Sequence, residues 1–191
     1  MRRERDLHRA GAARGLLQTR GESGTVGPQR RRAMHEIAVS REKTHLGHPG
    51  AAGLIKKAAE KALAAEGIKE PCLISVMLTD AEGIRQINRD FRGVDRETDV
   101  LSFPLNELTA GEFDPELCER DPETGEIMLG DMMISIPACE RQGEEFGHGF
   151  EREIQYLTVH SVLHLLGYDH LDEGKQKRQM RDREKVIMGD E

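Results

Sequence analysis

Three histidines near the C-terminus have the spacing of a metal site. The segment His160-Ser-Val-Leu-His164-Leu-Leu-Gly167-Tyr-Asp-His170 places the first two histidines four residues apart. On a helix, this spacing puts both imidazoles on one face, one turn from each other. Gly167 predicts the end of that helix, because glycine readily adopts the left-handed backbone that turns the chain back. His170 can then reach the same ion and leave a fourth coordination position for water.

Three neutral imidazoles and one open position are the arrangement of a catalytic zinc ion. Such an ion lowers the pKa of bound water toward ~7 and can polarise a carbonyl or phosphoryl oxygen. We therefore expect one Zn²⁺ per chain, although nickel or iron can also bind three histidines. The surrounding helix is apolar, so unpartnered imidazoles would be costly there; its apolar residues are Ile154, Leu157, Val159, Val162, Leu163, Leu165 and Leu166.

One residue separates this segment from the zinc proteases. The ligand spacing matches the extended protease motif H-E-x-x-H-x-x-G-x-x-H, but Ser161 stands where that motif has its general-base glutamate. A serine hydroxyl cannot accept a proton from zinc-bound water as a carboxylate does. The sequence therefore disfavours peptide hydrolysis by the usual route, and a metallopeptidase-like hydrolase remains an alternative.

Four ordered blocks resemble the YbeY endoribonuclease family of bacterial rRNA maturation factors. The first is the histidine segment itself. The others are Ile87-Asn-Arg-Asp-Phe-Arg-Gly93, then Thr98-Asp-Val-Leu-Ser-Phe-Pro104, and Leu129-Gly-Asp131 followed by Ile134-Ser135. The resemblance covers about residues 50–188, and residues 1–33 have no counterpart in the family pattern.

The resemblance implies a zinc-dependent, single-strand-specific endoribonuclease. Its implied roles are processing of the 16S rRNA 3′ end and ribosome quality control, with rRNA and the ribosome or its small subunit as partners. It implies His160, His164 and His170 as zinc ligands, and Arg92 as a functional arginine beside the catalytic His160. A guanidinium suits this chemistry, because it can bind a phosphate bidentately and stabilise developing charge.

Several roles stay open at this point. Asp131, Asp169 and Ser102 can support the metal ligands or contact substrate, but Asp131 can equally pair with a backbone turn and Ser102 can simply satisfy backbone groups. The attacking group can be zinc hydroxide or the RNA 2′-OH. A ribosome assembly factor with a structural zinc is a further alternative, and Asp169 on the metal would favour it.

The predicted elements suggest an α+β fold. We expect a small mixed sheet of about four strands, covered by helices, with a zincin-like metal-binding helix. Residues 105–125 are expected to form a long loop. Helices are predicted at about 49–66, 80–91, 137–146, 150–166 and 172–187, and strands at about 72–78, 99–103 and 126–136, with a possible bulge at Gly130.

The first 48 residues differ in composition from the rest. Residues 1–33 hold nine arginines and three acids, whereas the remainder has a net charge of −13. We expect residues 1–48 to be a disordered or mis-annotated leader and residues 49–191 to be the endoribonuclease domain. Residues 1–33 either precede a true translation start at Met34 or form an RNA-binding arm. The acidic body argues against RNA binding through overall charge, so RNA would need a local basic patch or a metal.

The cysteines and the absence of long apolar segments indicate where in the cell the protein works. Cys72, Cys118 and Cys139 are far apart and form no CxxC pair, so we expect reduced cysteines that fill core space. No apolar run approaches the ~20 residues that span a bilayer, and the N-terminus lacks a secretory apolar region. We therefore expect a cytoplasmic protein with no membrane partner.

Overall fold

The computed structural model describes residues 35–169 and 174–189. This part of the chain is an α+β fold with one four-stranded mixed sheet and five helices, as the sequence predicted. The strands are β1 (Glu36–Arg41), β2 (Cys72–Thr79), β3 (Val100–Pro104) and β4 (Ile127–Ser135). The helices are α1 (Ala51–Ala65), α2 (Ala81–Arg92), α3 (Ile136–Glu145), α4 (Gly149–Leu165) and α5 (Lys175–Met188).

The sheet has the strand order β1-β2-β4-β3. Strands β1, β2 and β4 are parallel, and β3 pairs antiparallel with β4 at one edge. The crossover between β1 and β2 contains α1, as parallel neighbours require. The apolar face of α1 is buried in the core and consists of Ala51, Ile55, Ala58, Ala59, Ala62 and Leu63.

Strand β1 corrects the expected boundary of the leader. Residues Glu36–Arg41 lie inside the segment 1–48 that we expected to be a leader, yet they pair with β2 along their whole length. The strand was missed because it has only six residues, EIAVSR, of which only Ile37 and Val39 are large and apolar, so the alternation is too short to stand out. The expectation for residues 1–34 lies outside the described residues.

The predicted bulge at Gly130 is confirmed. Leu73 faces Met128 on β4, whereas the next residue, Ile74, faces Gly130, so β4 contains one extra residue. Gly130 has φ +141°, and a Cβ on it would lie 2.3 Å from the Phe103 carbonyl oxygen. The extra residue shifts the inward–outward alternation of side chains along β4 by one position. It therefore decides which face of the sheet each residue after Gly130 occupies.

Helix α4 packs against α1 and α3 and lies over β3 and β4. It ends as the sequence predicted: Gly167 has φ +86°, and the Tyr168 amide donates to the Leu163 carbonyl at 3.0 Å. The structure adds a second reason for glycine. A Cβ at Gly167 would lie 2.2 Å from the Leu108 carbonyl oxygen, which belongs to the loop between β3 and β4.

Two of the three cysteines fill space in the hydrophobic core. Cys72 and Cys139 are buried, Cys118 is half-buried, and all three are free thiols. Burial raises the pKa of the Cys72 and Cys139 thiols to about 12, so both stay protonated at neutral pH. None of the helices in residues 35–169 and 174–189 is long and apolar enough to cross a membrane.

Candidate metal centre

His160 and His164 converge at the solvent side of α4. Their Nε2 atoms lie 3.2 Å apart. Their rings are nearly perpendicular, with centroids separated by 4.6 Å and an interplanar angle of 82°. Both side chains are half-buried. The four-residue spacing therefore brings the two imidazoles together as predicted.

The other ring nitrogen of each histidine is held by an acceptor. His164 Nδ1 lies 2.8 Å from the Tyr168 carbonyl oxygen. A carbonyl oxygen can only accept, so this nitrogen carries the proton and Nε2 presents its lone pair. His160 Nδ1 lies 2.7 Å from the Glu184 carboxylate, which imposes the same arrangement on His160. Two lone pairs therefore face each other across the 3.2 Å gap.

This pair of nitrogens fits a zinc ion. Two lone pairs at such a distance repel each other unless a cation, either a proton or a metal ion, lies between them. Zinc–nitrogen bonds of ~2.0–2.1 Å at the tetrahedral angle place two ligand nitrogens about 3.3–3.4 Å apart. The observed 3.2 Å agrees with that edge length. His160 and His164 are therefore arranged as two adjacent ligands of a tetrahedral ion.

The third predicted ligand, His170, lies outside the described residues. Within residues 35–169 and 174–189 no group of three His, Cys, Asp or Glu side chains is placed to hold a metal. Asp169, directly after Tyr168, is half-buried and makes an interaction of its own. The roles of His170 and Asp169 at the metal stay predictions.

Ser161, at the position of the protease glutamate, is completely buried. Its hydroxyl lies 2.8 Å from the hydroxyl of Ser102 on β3, and either oxygen can donate. This contact gives Ser102 a structural role in joining the edge strand to α4. Any further role of Ser102, in supporting a metal ligand or contacting substrate, stays a prediction.

Asp131 lies on the other face of the sheet. Its partner across the strand pair is Phe103, the residue next to Ser102, and neighbouring residues of a strand point to opposite faces. Since Ser102 points to α4, Asp131 points away from it. This placement does not favour direct support of His160 or His164, and a contact of Asp131 with substrate stays a prediction. Burial raises the pKa of the Asp131 carboxyl, and a hydrogen bond from Ser75 partly opposes that rise.

Arg92 ends α2 and is exposed to solvent. Its neighbour Phe91 packs edge-on against Phe103 of β3, with ring centroids 5.4 Å apart. Gly93 follows with φ +68° and ends the helix, so the chain turns away directly after the guanidinium. Within the described part of the chain, the Arg92 side chain makes no ion pair or hydrogen bond, which leaves it available to a phosphate.

The structure adds two residues that the sequence analysis missed. Glu184 of α5 is only 7% exposed, and its second carboxylate oxygen accepts from the Tyr156 hydroxyl at 3.4 Å. Burial and the nearby Glu184 raise the pKa of Tyr156 to about 12. Glu184 shares the buried face of α5 with Met180 and Ile187, at helical spacing. A glutamate on an otherwise apolar helix face was the signal that could have identified it.

Comparison with known proteins places the chain in a family. The endoribonuclease YbeY family matches residues 36–190. The endoribonuclease YbeY of Clostridium kluyveri is 45% identical over 141 residues, which are 71% of this chain and 85% of that protein. The Bacillus cytotoxicus protein of the same name is 45% identical over 136 residues, 71% of this chain and 83% of its own.

A solution structure from Thermotoga maritima covers 80% of this chain and 89% of its own, with a TM-score of 0.49 and 24% identity. The family match extends over β1 to α5 and includes both histidines of the pair, Arg92 and Glu184. On the family match and the identity to these relatives, the chain belongs to the YbeY endoribonuclease family.

Proposed function

We propose that this endoribonuclease is zinc-dependent and cleaves single-stranded rRNA during maturation of the 16S 3′ end and during ribosome quality control. The observation that carries the proposal is the pair of Nε2 atoms, 3.2 Å apart, in a chain of the YbeY family. Each imidazole is fixed from behind by an acceptor, so the pair is organised before a metal binds.

The protein's own groups have separate tasks in this proposal. A bound zinc ion would supply Lewis-acid stabilisation of the phosphate and an activated water. His160 and His164 would hold the ion through Nε2, and His170 is the proposed third ligand. Arg92 binds a non-bridging oxygen of the scissile phosphate and stabilises its developing charge. Residues 34–191 carry a net charge of −13, so phosphate binding must depend on such local cations.

The position of Ser161 in the fold gives a second argument against the metallopeptidase alternative. Ser161 is not only a poor base but also completely buried, with its hydroxyl bonded to Ser102. No carboxylate therefore stands one residue after the first ligand to accept a proton from water. The same feature suits RNA, because its 2′-OH can act as an internal nucleophile without a protein carboxylate next to the ligand.

The proposal is tested with the purified full chain. Metal is removed with a chelator, Zn²⁺ is restored, and cleavage is measured on a single-stranded precursor of the 16S 3′ end, on the same sequence as a duplex, and on casein. We expect cleavage of the single strand only, lost with the metal and regained with it. A 2′,3′-cyclic phosphate on the product would identify the 2′-OH as the first nucleophile.

A His164→Ala protein purified in the same way controls for contaminating nuclease. Cleavage that persists without metal, or that the His164→Ala protein retains, would contradict the zinc-dependent proposal. Equal cleavage of the duplex would contradict its specificity for single strands.

A further inference from the structure

The C-terminal helix α5 contributes a buried carboxylate to the metal centre from outside the histidine segment. Glu184 Oε1 lies 2.7 Å from His160 Nδ1, and the side chains are 9% and 21% exposed, respectively. Oε2 of the same carboxylate accepts from the Tyr156 hydroxyl at 3.4 Å. The two oxygens of Glu184 therefore contact two residues of α4 that lie one turn apart, Tyr156 and His160. Of these two residues, His160 is a candidate metal ligand.

The neighbouring residue fixes α5 to the rest of the domain. Arg183 Nε donates to Glu66 Oε1 at 2.7 Å, and Arg183 Nη2 donates to the Ala65 carbonyl oxygen at 2.7 Å. Glu66 directly follows α1, and its side chain is only 7% exposed. Its other oxygen accepts from the Tyr168 hydroxyl at 2.7 Å. Although the Arg183 side chain is 31% exposed, the nearly buried Glu66 carboxylate and the second bond to the Ala65 carbonyl hold the pair more firmly than a single surface ion pair.

These contacts connect the two histidines through the protein. Tyr168 accepts from His164 through its carbonyl and donates to Glu66 through its hydroxyl. Glu66 binds Arg183, and the next residue, Glu184, binds His160. A movement of α5 would therefore change the surroundings of both imidazoles, although α5 supplies neither of them.

We propose that Glu184 is a positioning residue of the metal centre, which orients the His160 ring, and that the Arg183–Glu66 pair holds α5 where Glu184 can do so. The inference rests on the proposed zinc site. A carboxylate that accepts a hydrogen bond from the ring nitrogen that does not bind the metal fixes the orientation and the tautomer of a ligating imidazole. Loss of such a carboxylate typically weakens metal binding by about 10–100-fold.

The test compares four variants of the full chain with the native protein: Glu184→Ala, Glu184→Gln, Arg183→Ala and Asp182→Asn. Asp182 is an exposed carboxylate on the same helix, so Asp182→Asn is the matched control. Zinc affinity is measured by competition with a chromogenic chelator, and coordination geometry from the visible spectrum of the Co²⁺-loaded protein. Circular dichroism and thermal unfolding report whether each variant is folded.

We expect Glu184→Ala to bind zinc about 10–100-fold more weakly and to change the Co²⁺ spectrum. Glu184→Gln keeps an oxygen that can accept from Nδ1, so its affinity is expected within a few-fold of the native value. Arg183→Ala is expected to fall between them, and Asp182→Asn to match the native chain. Folded Glu184→Ala with native affinity and a native spectrum would overturn the inference.

A second readout needs no metal. Long-range ¹H–¹⁵N NMR correlations identify which ring nitrogen of His160 carries the proton in the metal-free chain. We expect the Nδ1-protonated form in the native protein and in Asp182→Asn, and a mixture in Glu184→Ala. The same tautomer in Glu184→Ala as in the native protein would overturn the inference while leaving the zinc site intact. A native chain that binds no transition metal would instead overturn the proposed zinc site, and the inference with it.

Discussion

The hydroxyls of Ser102 and Ser161 lie 2.8 Å apart, at the contact between β3 and α4. Ser161 has no exposed surface, so the position of the protease base is part of the core. We expect Ser161→Glu to lower the free energy of unfolding by about 3 kcal/mol or more, because it buries a longer, ionisable side chain. Ser161→Ala should cost only about 1 kcal/mol through the lost hydrogen bond.

Urea denaturation measures both values, and casein hydrolysis by the zinc-loaded Ser161→Glu protein is expected to stay at background. A stable Ser161→Glu protein that hydrolyses casein would show that the side chain reaches the metal centre, contrary to its place in the structure.

The histidines and Arg92 should separate metal binding from cleavage. His160→Ala and His164→Ala each remove one of the two converging Nε2 atoms, so we expect loss of zinc and at least ~100-fold less cleavage of single-stranded RNA. Arg92→Ala should retain zinc and still lose about 100-fold in cleavage, because only the charge on the phosphate contact is removed. Metal analysis and initial rates distinguish the two outcomes.

Arg89 offers the matched control for Arg92. It lies in the last turn of the same helix, is half-exposed, and has two weak contacts, 3.5 Å to the adjacent Asp90 and 4.0 Å to Asp95. Arg89→Ala is expected to cleave RNA within a few-fold of the native rate. Full activity in Arg92→Ala, or an equal loss in Arg89→Ala, would refute a specific role for Arg92.

The turn after α4 should be intolerant of any side chain. In Gly167→Ala the new methyl group would lie 2.2 Å from the Leu108 carbonyl oxygen, on a backbone with φ +86°. We expect a loss of about 3 kcal/mol in unfolding free energy. Zinc affinity should also fall, because the Tyr168 carbonyl that holds His164 follows directly.

Gly67 separates backbone strain from the close contact. It follows α1 with φ +72°, and a Cβ there would meet nothing within 4 Å. Gly67→Ala should therefore cost only about 1 kcal/mol and leave zinc affinity unchanged. Equal losses in the two variants, measured by chemical denaturation, would show that the approach of Leu108 is unimportant.

Asp131 gives a prediction about pH. Burial raises the pKa of this carboxyl above its ordinary value, so the folded chain binds the proton more tightly than the unfolded chain does. Its contribution to stability therefore falls as pH rises from the ordinary aspartate pKa through the raised one. Asp131→Asn should gain unfolding free energy relative to the native chain at pH 7 and lose that gain at pH 3.5.

Urea unfolding at the two pH values tests this, and the difference between the two proteins removes the effect of other acids. A gain that grows toward low pH would mean that the folded state stabilises the ionised carboxylate of Asp131.

The parts of the fold with local signals were predictable. The amphipathic face of α1 and the histidine pair of α4 follow from residue spacing, and Gly167 ends α4 as its position indicated. The contacts that complete the site come from residues far apart in sequence. Glu184 lies 24 residues after His160, and Leu108 approaches Gly167 from another loop. The glutamate on the apolar face of α5 was visible in the sequence, but its partner was not.

The faces of the sheet were hard to predict for a related reason. A role for Asp131 in supporting a histidine was considered because a carboxylate in an apolar strand can accept from an imidazole N–H. The face it occupies is set by the bulge at Gly130 and by the pairing with β3, which place it with Phe103 instead. A change of one residue in register moves a side chain to the other face, and composition alone does not determine register.

The parallel pairing of β1 with β2 has a practical consequence for shortened forms of the chain. A protein that began at residue 49 would lack the strand that covers one side of β2, whose buried residues include Ile74, Val76 and Leu78. The uncovered backbone amides and carbonyls of β2 would then be open to pairing with another polypeptide, which is the usual origin of intermolecular sheet formation. Such a truncated protein should aggregate. A protein that begins at His35 keeps β1 on this edge of β2 and is expected not to aggregate through it.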